Sequence, residues 1–178
     1  MKRYSVHGFL LGLLVIQVGL ISALNSVGPK LHGPTPGTTL PPVPVQVTNE
    51  SVAVSLRDFV ANGSRCSLVV VAEADCPICQ RLALRWQEDY PRWVDSIRTP
   101  VSAIWVFNNS EAEIARFVSA FRLASLSTAA LVNYMQAQEE LGVIGTPLMY
   151  LVDRDGRVVL GSAGATFPPA VAAARSCD

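Results

Sequence analysis

SLVVVAEADCPIC, residues 67–79, decides how the rest of the chain is read. Its first six residues are apolar or small without interruption, as in a β-strand buried on both faces. After Glu73-Ala74-Asp75 the pattern changes to helical spacing. Cys79, Leu82, Ala83, Trp86 and Tyr90 recur at intervals of three and four and form one apolar stripe. Pro77 suits the first helical position, which places Cys76 at the N-cap. There the free N–H groups and the dipole of the helix stabilise a thiolate. Cys79, one turn further on, can bond to the same sulfur without unwinding the helix. Pro91 is expected to kink or end this helix, with Trp93, Val94 and Ile97 continuing its apolar face.

Working outward, residues 45–54 are β-prone, and residues 55–61 read as a short helix ending at Asn62-Gly63. Residues 101–107 form a second buried strand. Residues 111–121 are amphipathic, with Ile114, Phe117, Val118 and Phe121 on one face. Another helix is expected over residues 130–141. Strands at 147–152 and 157–160 meet at Asp155-Gly156, a strong hairpin signal. A short helix over 168–175 closes the chain. From residue 67 on, the order βαβα-α-ββα gives an α/β class with a central mixed sheet flanked by helices.

The chain has 178 residues, half of them hydrophobic, which is enough for one domain with a substantial core. Its 14 basic and 14 acidic side chains cancel, and no basic run is interleaved with aromatics, so nucleic-acid binding is set aside. The first 24 residues differ in kind. Lys2 and Arg3 precede an uncharged, apolar stretch over residues 8–24, the pattern of a secretory signal or a membrane anchor. A cut after Ala23 would put Ile21 where a small residue is preferred, so an uncleaved transmembrane signal anchor is favoured over a cleaved signal. Either way the domain is expected on the extracytoplasmic side, periplasmic or extracellular. Residues 25–44 hold six of the 12 prolines and read as an extended spacer. Residues 45–178 then form the domain.

Outside the cytoplasm disulfides persist, so Cys66, Cys76, Cys79 and Cys177 are all potential partners. Cys76 and Cys79 are the minimum apparatus for dithiol–disulfide exchange. A purely structural bond between them would close too tight a loop to gain much. Zinc would call for a second pair at similar spacing, and Cys66 and Cys177 do not supply one.

With these residues in place, the chain resembles the thioredoxin-like superfamily. The strand, the C-x-x-C at a helix start, Gly145-Thr146-Pro147 before the next strand and the Asp155-Gly156 hairpin match it in order. It looks most like the membrane-anchored, extracytoplasmic branch that includes reductants of cytochrome c maturation. The resemblance implies a thiol–disulfide oxidoreductase with Cys76 attacking and Cys79 resolving, and with the cysteine pair itself as the redox group in place of a cofactor. It further implies a cis bond before Pro147 and a substrate-binding segment at Ile144, Thr146 and Pro147, where a substrate strand would pair with the Thr146 backbone. The implied partners are proteins bearing disulfides or dithiols, and a membrane donor of thiol electrons.

Two departures from the family pattern matter. Asp75 stands where Trp is usual before the first cysteine. Val70 stands where many relatives bury the acid that takes the resolving proton, leaving Glu73 as the nearest substitute. A carboxylate about 6 Å from the Cys76 sulfur would oppose the thiolate by roughly 0.7 to 3 kcal/mol, comparable to the helix-dipole effect. That points to a low potential and a reductant. A disulfide-forming oxidase and a non-catalytic interaction module are the alternatives. Copper delivery by a related fold would need a downstream His, and only His7 and His32 exist. A peroxidase of the superfamily would need a Thr and a Pro ahead of its cysteine. In this topology the last helix returns toward the start of the buried strand, so Cys66 and Cys177 are expected to form a structural disulfide. Closing so long a loop contributes up to roughly 4.7 kcal/mol in the chain-entropy model.

Overall fold

The computed structural model describes residues 33–48, 50–61, 64–143, 145–170, 172–173 and 177. The expected anchor at residues 1–24 and Ile144 lie outside them. Among the described residues no helix is long and apolar enough to cross a membrane.

The stretch that opened the sequence reading forms β3 (Cys66–Ala72), whose seven residues are all buried. It is preceded by β1 (Pro44–Val47), β2 (Ala53–Ser55) and α1 (Leu56–Ala61). After it come α2 (Pro77–Ile97), β4 (Val101–Phe107), α3 (Glu111–Ala120), β5 (Ser127–Leu131), α4 (Tyr134–Leu141), β6 (Leu148–Asp153) and β7 (Val158–Ala163). Ala170, Ala172 and Ala173 are helical within the expected closing segment. Among the described residues the strands form one mixed sheet in the order β2-β1-β5-β4-β3-β6-β7. β3 runs parallel to β4 and antiparallel to β6. Its side chains alternate between two cores. Leu68, Val70 and Ala72 join Cys79, Trp86 and Trp105 on one face, while Val69 and Val71 join Leu40, Leu56 and Val106 on the other. A strand covered on both faces needs no polar alternation, which is why it reads as a continuous apolar run.

One expectation is corrected, and two are made more definite. The helix expected over residues 130–141 begins only at Tyr134, because residues 127–131 are a strand. Ser-Thr-Ala-Ala-Leu has no strong β bias, yet it pairs parallel with β4 and antiparallel with β1, and this tertiary pairing overrides propensity. Asn133 then caps α4, its side chain accepting the Gln136 N–H at 3.2 Å. The β-prone residues 45–54 supply an antiparallel pair, β1 with β2. Pro91 does not end α2, which continues through it to Ile97. Anchors flank the proline on both sides: the Tyr90 hydroxyl donates to the Val101 carbonyl at 2.7 Å, and the Trp93 indole N–H to that of Pro168 at 2.8 Å. Trp86, Tyr90 and Trp93 all pack on Phe167. Burial of such aromatics, worth about 3–5 kcal/mol each on truncation, outweighs the ~3 kcal/mol cost of an interior proline.

The last part of the proline-rich stretch packs on the sheet. Leu40 and Val43 are fully buried, and the Leu40 N–H donates to the Gly156 carbonyl at 2.7 Å.

Candidate active site

β3 and β4 end side by side, Ala72 opposite Phe107, and Phe107 lies opposite Ala130 of β5. Their following loops therefore emerge at one end of the sheet. At that end Cys76 caps α2 in an extended conformation, φ −72° and ψ 117°. Its N–H donates to the Glu73 carbonyl at 3.2 Å, closing a turn over residues 73–76. Its sulfur accepts the Cys79 N–H at 3.3 Å, and its thiol reaches the Thr146 carbonyl oxygen at 3.3 Å. The Thr146–Pro147 peptide bond is cis. So Cys76, Cys79 and Thr146 converge, with Pro147 beside them.

The two sulfurs are in different states. Cys76 is partly exposed and Cys79 fully buried. Burial pushes the Cys76 thiol up, but the Cys79 and Thr146 side chains and the backbone N–H groups of Cys79 and Ile78 hold it below its ordinary value. The Thr146 carbonyl suits the protonated thiol, whereas its side chain favours the thiolate. Burial pushes the Cys79 thiol up to about 12, and its hydrogen bond with Cys76 adds to the rise. Hydrogen bonds at the helix start hold Cys76 low against the effect of burial.

Glu73 is placed beside the pair in an unexpected way. Its backbone N–H faces Cys79, while its carboxylate hydrogen-bonds the Tyr134 hydroxyl at the start of α4. Val70 is opposite Trp105 across β3 and β4, in the same buried cluster as Cys79. Among the described residues no acidic side chain is buried. The Trp105 indole N–H has no partner among the described residues, and it is a donor, not a proton acceptor.

No family model matches the chain, and no curated protein matches it. Solved structures do. The thioredoxin domain of a thiol-disulfide oxidoreductase from Bacteroides vulgatus superposes with a TM-score of 0.59 at 19% identity, over 73% of this chain and 89% of that one. The fold is thioredoxin-like. A protein described as a thiol:disulfide interchange protein from Chlorobium tepidum gives 0.57 at 19% identity, over 78% and 91% of the two chains. A thiol peroxidase from Chromobacterium violaceum gives 0.58 at 19%, over 75% and 78%. Likeness at this identity extends to the fold, and the chemistry is read from the site.

At the opposite end of the thioredoxin-like sheet, Cys66 opens β3 and is bonded to Cys177, 111 residues away, with their Cα atoms 5.7 Å apart. Sequence reasoning missed Tyr134, Asn109 and Gln80, all of which reach the turn before Cys76. Asn109 and Tyr134 act across loops that only the fold brings together, whereas Gln80 reaches back to Ala74 from the start of α2.

Proposed function

We propose that this chain is a thiol–disulfide oxidoreductase that reduces protein disulfides outside the cytoplasm. The observation that carries the reading is the unequal cysteine pair: a partly exposed Cys76 sulfur held below its ordinary value, and a buried Cys79 thiol raised to about 12. The Cys76 thiolate attacks one sulfur of a substrate disulfide, and the other sulfur leaves as a thiolate. Cys79 then loses its proton and attacks Cys76 in the mixed disulfide, releasing the second substrate thiolate. The substrate gains two electrons and the Cys76–Cys79 pair becomes a disulfide. A thiol donor must restore it, and an anchored domain would draw on a membrane carrier. The Thr146 backbone, beside Cys76, pairs with the extended substrate. Glu73, one turn before Cys76, receives the Cys79 proton by way of the solvent-facing turn. The uncharged stretch at residues 8–24 tethers the domain, and the first part of the proline-rich segment spaces it from the bilayer.

Reduction is favoured because residues 73–79 contain two acids and no base to stabilise the thiolate electrostatically. One observation favours the opposite direction: hydrogen bonds already stabilise the Cys76 thiolate, and with it the reduced form. The redox potential of the full chain separates the two. Disulfide reduction is expected from the chain and not from Cys76→Ser, while Cys79→Ser should accumulate a mixed disulfide that names the substrate. A Cys76→Ser chain that still reduces disulfides would refute the assignment.

A further inference from the structure

The turn that delivers Cys76 is held from outside its own backbone. Asn109, in the loop after β4, accepts the Ala74 N–H on Oδ1 at 2.8 Å. Gln80, in the first turns of α2, donates Nε2 to the Ala74 carbonyl at 2.9 Å. Both polar groups of one peptide residue, two before the attacking cysteine, are therefore engaged by side chains. The Asn109 side chain also lies near the Glu113 carboxylate, which accepts the Ser110 N–H at 2.9 Å and the Ser110 hydroxyl at 2.7 Å. The capping box of α3 thus adjoins, through Asn109, the turn before α2.

We infer that Asn109 and Gln80 are positioning residues for the Cys76 sulfur, fixing the two peptide groups that flank Ala74 so that the first N–H groups of α2 face it. The geometry requires such a device. Cys76 must stay extended while Pro77 onward is helical, and the direction of its side chain follows from the turn over residues 73–76. Ala74 has only a methyl group with which to hold itself. The Cys76 N–H to Glu73 carbonyl bond, at 3.2 Å, closes the turn but leaves its middle peptides free to rotate. The two side chains remove that freedom.

The inference rests on Cys76 being the attacking sulfur, but its test does not use disulfide reduction, so the two readings can fail separately. The reduced full chain is alkylated with iodoacetamide across pH, and modification of the Cys76 peptide is followed by mass spectrometry. Asn109→Ala and Gln80→Met should each move the midpoint of the profile upward by about half a unit, leaving about threefold less thiolate below it. The limiting rate at high pH should stay the same. The double variant should shift no further than the larger single, because both side chains hold one residue of the turn and losing either frees it. Profiles that superimpose on the unsubstituted chain overturn the inference, whatever happens to the melting temperature. Additive shifts in the double variant overturn it as well.

Discussion

The Cys79 backbone N–H points at the Cys76 sulfur from 3.3 Å, while the Cys79 sulfur lies wholly inside the protein. One residue therefore does two things to the pair: its backbone stabilises charge on its neighbour, and its burial denies charge to itself.

Labelling should reveal that asymmetry. In the reduced chain Cys76 is expected to react with iodoacetamide below the ordinary thiol value of 9.0, while Cys79 stays protonated until about 12. Peptide-resolved kinetics at neutral pH should show modification almost confined to Cys76. Equal labelling of the two would contradict the site described.

The same shifts govern stability in alkali. Cys79 holds its proton to about 12 when folded and loses it near 9.0 when unfolded, so the unfolded chain releases protons first. Its contribution is complete below 9.0 and is lost as the pH rises toward 12. Tyr90 and Tyr150, raised by burial from 10.0 to about 12, act the same way from a later onset. Cys76, lowered when folded, contributes above the ordinary thiol range, and that part is lost on acidification. Urea unfolding of the reduced chain should weaken from 9.0 upward. In the oxidised chain, where Cys79 cannot ionise, the decline should wait for the tyrosines.

Replacing both Cys66 and Cys177 with Ala should cost about 2–5 kcal/mol in denaturant unfolding under non-reducing conditions. The alkylation rate of Cys76 should not change, because that pair lies at the far end of β3. A slower Cys76 would mean that the staple reaches the reactive end.

Pro91→Ala restores an N–H that can bond the Gln87 carbonyl inside an uninterrupted helix. Stability should rise by about 1–3 kcal/mol, partly offset by a less restricted unfolded chain. Thermal unfolding measures it, and a fall would show that Pro91 is needed where it stands.

The readable parts of this sequence were those whose signal is local. A strand buried on both faces leaves an unbroken apolar run at residues 67–72, and a helix start leaves Pro77 behind a capping cysteine. β5 left no such trace, since Ala129 and Ala130 favour a helix until β1 and β4 enclose them. Asn133 was a cap signal that could have separated the strand from α4. Pro91 alone could not tell a kink from an end, because the packing that holds both halves of α2 comes from residues 101–168. In the site, the cysteines were visible by spacing. Thr146 and Pro147 were legible through the family resemblance, whereas Asn109, which holds the turn before Cys76, arrives from another loop and left no signal.

β3 has a cysteine bond at its first residue, and its last residue leads to the reactive pair. Six residue steps of extended chain separate these ends by ~20 Å. Disulfide exchange proceeds only when a thiolate touches a sulfur in line. The Cys66–Cys177 bond is thereby kept from the Cys76 sulfur: the length of one strand sets a distance that this sulfur cannot cross while the protein is folded.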